Sequence, residues 1–170
     1  MVIAIRGSEA ELRTAVGAIP DPEIPVVTIA DLGILRSLVA EPASGVVAVV
    51  ITPTYSGCPA MEAISAYITH VCRGAGWEPR VTTQLSPAWT TEWMSEEGRE
   101  KLRRFGIAPP GARHTGQSGA VPVSLGRRVV VCPRCGSEDT TELARFGSTA
   151  CKALRRCEAC RETFDEFKTL

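Results

Sequence analysis

Four cysteines near the C-terminus constrain this chain more than any other feature. They stand as "CPRCG", holding Cys132 and Cys135, and "CEAC", holding Cys157 and Cys160. A C-x-x-C turn aims both sulfurs at one point, and its backbone N–H groups stabilise the thiolates. Two such turns place four sulfurs around one ion, the tetrahedral arrangement that Zn2+ accepts. Thiolates also accept iron, so a rubredoxin-like iron or a cluster stays an alternative. A closed four-sulfur site leaves no open position for catalysis, which makes its role structural. A segment of about 45 residues builds little core, so the metal is expected to supply much of its folding free energy. Gly136 follows the first turn, where the chain often needs a left-handed residue.

The remaining chain sets the background. With 170 residues there is room for one moderate domain or two small ones. Lys+Arg and Asp+Glu are both 19, so no net charge attracts nucleic acid or anionic lipid from a distance. No apolar run approaches the roughly 20 residues that span a bilayer. The start, "MVIAIRGSEAEL", lacks the pattern of a secretory signal, and the protein is expected in the cytoplasm. Seven cysteines there point to metal ligands or reactive thiols before disulfides.

Ser8 with Glu11 reads as a capping box opening a helix through Leu12, Ala15, Val16 and Ile19, stopped at Pro20. "PDPEIPVVTIADLGIL" is a loop stiffened by prolines and carrying Asp21, Glu23 and Asp31. "ILRSLVAE" and "GVVAVVIT" form a predicted hairpin around "EPASG", and the second strand is apolar enough to be covered on both faces. A helix follows Pro59, with Met61, Ile64, Ile68 and Val71 on one side. "PRVTTQL" is a third strand, "SPAWTTEWM" is irregular, and "SEEGREKLRRFG" is a short charged helix ended by Gly106. Residues 106–126, rich in Gly, Pro and Ser, read as a linker.

Cys58 stands at the strand-to-helix junction "TPTYSGCPAMEAI". Placed at the N-cap of the helix, it would be favoured as a thiolate by the dipole and the free N–H groups. Packing is the ordinary alternative for a lone cysteine there. Cys72, near the other end of that helix, reads as packing, as does Cys151 between the two knuckles. The loop acids also have an ordinary reading, since Asp and Glu favour loops and caps. The two histidines, His70 and His114, support no nucleophile–base arrangement.

"DPEIPVVTIADLGIL", "VVAVVITPTYSGCPAMEAI" and "SPAWTTEWMSEEGREKLRRFGIAPPG" resemble the small iron–sulfur assembly domain of bacterial SufT-like proteins and eukaryotic cytosolic assembly factors. "GIAPPG" and "FGSTACKALRRCEACRETFDEFK" narrow the resemblance to the PaaD family, the accessory D proteins of ring-1,2-phenylacetyl-CoA epoxidase systems. It runs from Val16 to Lys168. It implies an α+β fold. Residues 1–105 would be an iron–sulfur assembly-type domain, a small sheet packed with helices. Residues 127–170 would be a four-cysteine zinc ribbon, with Cys132, Cys135, Cys157 and Cys160 holding structural Zn2+. By position, Cys58 would be a transient iron or cluster ligand, and Asp21 or Glu23 the loop acid.

The implied role is accessory, without catalysis. The chain would help assemble or repair iron or iron–sulfur centres of the epoxidase during aerobic phenylacetate breakdown. Its partners would be the oxygenase and reductase subunits and the iron–sulfur assembly machinery, with no membrane. Three rivals stand beside this reading. A structural subunit of the oxygenase complex is one. A nucleic-acid-binding zinc ribbon is another, supported locally by "RRVVVCPR" and "KALRR" but opposed by zero net charge and few aromatics. The third, a thiol enzyme built on Cys58, lacks a credible base.

Overall fold

The computed structural model describes residues 7–111 and 129–169. The chain is α+β, and it divides into two compact units at the Lys101–Leu102 step.

Ser8 starts the first unit's helix α1 (Glu9–Gly17) with the expected capping box. Its Oγ accepts from Glu11 N at 3.2 Å, while its own N–H donates to Glu11 Oε2 at 2.8 Å. Both bonds satisfy N–H groups that a helix start leaves without partners. Leu12 and Val16 turn inward. The loop that follows is held by more than its prolines. Its ends are joined by Asp21 N to Val27 O and Ile29 N to Ile19 O, both at 2.9 Å. Ile24, Val27, Ile29, Leu32 and Ile34 from this loop are all buried, whereas Pro22 and Pro25 lie at the surface. The loop is therefore anchored through apolar side chains at irregular spacing, a pattern that no periodic template detects.

β1 (Leu35–Glu41) and β2 (Val46–Ile51) form the antiparallel hairpin, with a bulge between Leu35 and Ser37. Helix α2 (Ala60–Gly74) then crosses over to β3 (Glu78–Thr83), which lies parallel to β2. The sheet order is β1-β2-β3. Pro79 is tolerated because β3 is an edge strand. Leu38, Val47, Val49 and Ile51 face the core, as do Ile64, Ile68 and Cys72 of α2. The expectation that β2 is covered on both faces is corrected here. Ala48 is exposed, and Val46 and Val50 are only partly covered. On that second face Val46 and Val50 reflect the β-propensity of a branched side chain rather than full burial.

After a single turn at Thr91–Trp93 comes α3 (Glu96–Phe105), ended by Gly106 at φ 92°. Asp31 ties down α3 from Ser95, just before its start, and from Lys101, in its second turn. Asp31 Oδ1 accepts from Ser95 Oγ at 3.1 Å, and Oδ2 accepts from Thr28 N and from Lys101 Nζ, both at 2.9 Å. Trp89 donates its indole N–H to Leu32 O at 2.8 Å, and Arg36 stacks over the Trp93 ring. Burial opposes charge on Asp31, but the bonds from Lys101, Thr28 and Ser95 outweigh it and hold the carboxyl below the ordinary carboxylate range.

The second unit is a four-stranded sheet in the order β4-β7-β6-β5. Its strands are β4 (Ile107–Ala108), β5 (Thr140–Ala144), β6 (Lys152–Cys157) and β7 (Thr163–Phe167). β5, β6 and β7 pair antiparallel, and β4 lies parallel to β7. The linker assignment changes at its start: Ile107 and Ala108 are strand residues of this sheet, because their backbone completes the edge of β7. Residues 112–126 of the expected linker, and His114 with them, lie outside the described residues. His70 is exposed on α2.

Two outcomes test this packing. Gly33 has φ 67°, and a Cβ there would fall within 3 Å of the Trp93 backbone. Gly33→Ala is expected to lower stability by about 1–3 kcal/mol in denaturant unfolding. The depressed Asp31 value stabilises the fold above the unfolded carboxylate value of about 3.9, and that contribution is lost as pH falls through the folded value. Asp31→Asn should flatten the acid limb of the stability–pH curve; an unchanged limb contradicts the assignment.

Candidate metal centre and the loop cysteine

The two C-x-x-C turns fold alike. Cys132 N donates to Ser137 O at 2.9 Å and Gly136 N to Cys132 O at 3.0 Å. In the second turn Cys157 N donates to Glu162 O and Arg161 N to Cys157 O, both at 2.9 Å. Each turn thus closes on itself and needs a left-handed residue just after its second cysteine. Gly136 meets this at φ 76°, as the sequence suggests, and Arg161 meets it at φ 66°. The role of Arg161 was readable only by aligning the two knuckles, since nothing in the residue type signals it.

These turns bring the four sulfurs of Cys132, Cys135, Cys157 and Cys160 to within 4.8 Å of one another. Cys132 and Cys160 are 3.9 Å apart, and Cys135 and Cys157 are 3.6 Å apart. A tetrahedron of thiolates with metal–sulfur bonds of about 2.3 Å has sulfurs about 3.8 Å apart. The set therefore fits a tetrahedral metal ion. Cys132 and Cys157 are buried with Ala108, Val130 and Phe164, and Cys160 packs against that cluster.

The crowding divides the thiols. The N–H of Cys160, with help from the Cys135 thiol, pulls Cys157 down to about 7 against its burial. At Cys135 the N–H of Ser137 acts downward, yet the Cys157 sulfur and burial prevail and push it up to about 12. Cys157 therefore ionises readily, and each further ionisation works against charge already present. A divalent cation among the sulfurs removes that conflict.

The other expected site residues are not gathered in this way. Asp21 is buried, and its Oδ1 accepts from Glu23 N at 2.9 Å and Ile24 N at 2.8 Å, so it caps its own turn. Glu23 is half-buried on that turn. Cys58 is half-buried at the loop after β2, but it is not the N-cap. Pro59 occupies that position, and Cys58 is one residue outside the helix. Its N–H donates to Tyr55 O at 3.1 Å. The shift has a physical cause: proline lacks the N–H that a first helical residue can dispense with, and here it takes helical φ and ψ itself as the cap. Among the described residues the only group of three or more potential metal ligands is the four-cysteine set, so Cys58, Asp21 and Glu23 form no such cage. Cys72 is fully buried, and burial pushes its thiol up. Cys151 is also buried, with its sulfur 3.0 Å from Thr149 Oγ1.

The basic residues of the ribbon are largely engaged by acids. Lys152 pairs with Asp165 at 3.2 Å and Arg155 with Glu166 at 3.0 Å, all on neighbouring strands. Lys152 and Arg155 are buried, so "KALRR" is mostly a sheet-stapling element rather than a phosphate-binding face. Among the described residues, no helix is long and apolar enough to cross a membrane.

Comparison with known proteins follows this division. Residues 9–83 match the family described as iron–sulfur cluster assembly protein, and residues 117–168 match the PaaD zinc beta ribbon domain. The crystal structure of a domain of unknown function, DUF59, from Bacillus anthracis is 27% identical with a TM-score of 0.51, covering 55% of this chain and 90% of that one. These define a class: an iron–sulfur-assembly-type domain followed by a zinc-ribbon-type domain. A protein of Escherichia coli (strain K12), provisionally described as the D component of 1,2-phenylacetyl-CoA epoxidase, is 47% identical over 161 residues, 94% of this chain and 92% of that protein. The chain belongs to this PaaD family of epoxidase D components.

Cys132→Ser or Cys157→Ser is expected to release one metal ion per chain and melt the second unit, leaving the first unit folded. Metal analysis with thermal unfolding checks this. Full metal content in both variants would show that these sulfurs are not the ligands.

Proposed function

We propose that this protein is a non-catalytic accessory factor that helps assemble or repair the iron or iron–sulfur centres of a phenylacetyl-CoA epoxidase. One observation carries the reading. The match to an iron–sulfur cluster assembly family spans residues 9–83, the part that holds Asp21, Glu23 and Cys58, within a chain related over nearly its full length to an epoxidase D component. In this reading Zn2+ is the resident ion of Cys132, Cys135, Cys157 and Cys160. The name of the ribbon family favours zinc, while the sulfur spacing fits a tetrahedral ion of either metal.

Iron or a cluster would be cargo, met by Cys58 on the first unit. A half-buried thiol beside a helix start suits transfer, because handing on an ion requires ligation weaker than a closed cage. Cys58 stands one residue before the cap of α2. Asp21 shapes its loop through Oδ1, so Glu23 is the nearer analogue of a labile carboxylate. The partners are the oxygenase and reductase subunits, with the general iron–sulfur assembly machinery as the source of cargo.

A second reading has its own support. The relative is described as a part of the epoxidase itself, which favours a stable structural place in the complex. Epoxidase purified from a strain lacking this protein separates the two. The accessory reading expects normal subunit assembly with under-filled metal centres and low activity. Fully metallated, fully active epoxidase from that strain would end it, while failure of the complex to assemble favours the structural role. Within the accessory reading, Cys58→Ala should keep the fold and lose epoxidase maturation, and Cys72→Ala should support growth on phenylacetate at comparable thermal stability. Equal growth of the two variants would reduce Cys58 to packing.

A further inference from the structure

The ribbon is not completed by the residues around its cysteines. Its sheet has β4 at one edge, contributed by Ile107 and Ala108, upstream of the segment 117–168 that matches the ribbon family. Ile107 lies opposite Asp165 and Ala108 opposite Glu166. β7 leaves the second knuckle directly, three residues after Cys160. With β6 on one side and β4 on the other, β7 is an inner strand. Without β4 it would be an edge, with its backbone donors and acceptors open to water.

The side chain of β4 also reaches the sulfurs' surroundings. Ala108 is 1% exposed and belongs to the cluster formed with Val130, Cys132, Cys157 and Phe164, against which Cys160 packs. Three of the four sulfur-bearing residues thus share one apolar cluster with Ala108. Such a wall excludes water from metal–thiolate bonds and sets the orientation of the ligands. A small residue suits this place, since Ala108 is buried among these side chains on a strand paired directly with β7. Pro109 and Pro110 follow at once and end the strand.

We propose that the metal site depends on β4, and that Ala108 is a positioning residue which holds the four-cysteine site in shape and keeps water from its buried side. This rests on the reading of the four cysteines as a metal site. It predicts that metal retention depends on a residue far from every ligand in sequence and outside the ribbon family's segment.

The full-length chain, loaded with zinc or with cobalt, provides the test. Ala108→Ser, Ala108→Val and Ala108→Leu form a series of rising volume, and Ala144→Leu is the same enlargement at a half-buried position on β5, outside the cluster. Zinc release to a chelator should quicken with volume at position 108, reaching about tenfold or more for Ala108→Leu. The thiolate-to-cobalt absorption bands should shift in the same order, a change that loss of stability elsewhere in the sheet does not produce. Ala144→Leu should match the wild type in both readouts. Release and spectra that ignore the volume at position 108, or that respond equally at position 144, overturn the proposal even when the wild type holds its metal. A wild-type chain that holds no metal overturns the site and this inference together.

Discussion

Four sulfurs held within 4.8 Å of one another set the terms for the second half of this protein. As thiols they are weak hydrogen-bonding groups in close contact; as thiolates they repel. Cys157, drawn down to about 7, and Cys135, pushed up to about 12, show that conflict in one site. A cation relieves it and ties together two turns that lie far apart in sequence. The surrounding strands follow from that closure. β6 runs into Cys157 and β7 runs out of the same knuckle, so their pairing register is bound to the positions of the sulfurs.

The first unit uses a different organising group. Asp31 is a buried carboxylate that joins Thr28, Ser95 and Lys101, and Gly98 leaves room for it: a Cβ there would lie 2.8 Å from that of Asp31. Breaking one partner would leave a buried charge poorly compensated. The network makes the acidic loop part of the frame rather than a mobile flap. Asp21 works likewise on its own turn. Asp21 and Asp31 are thus structural acids of the loop between α1 and β1.

The charges on the ribbon carry a related lesson. Taken as a string, "KALRR" suggests a cationic surface. In the sheet, Lys152 and Arg155 are buried against Asp165 and Glu166, and the zero net charge of the chain is reproduced locally as cross-strand pairs. Such pairs hold strand register, and they leave little free charge for a polyanion.

The metal knuckles, the capping box at Ser8 and Glu11, the hairpin around residues 41–46 and the helix after Pro59 were legible in the sequence. Each depends on residues close together in the chain, whose type carries a local rule of spacing, capping or alternation. The relation to an iron–sulfur assembly domain was legible too, through motifs that are continuous strings. Other features depended on contacts between distant segments. Only the tertiary structure showed that Asp31 meets Lys101, that the second face of β2 stays partly open, that Cys58 stands one residue outside its helix, and that Ile107 and Ala108 belong to the ribbon rather than to a linker. A two-residue strand has no period to detect, and a buried aspartate looks like any loop aspartate until its partners arrive. Local rules determine what a segment can become; hydrogen bonds and burial supplied by remote segments decide which of those options is stable.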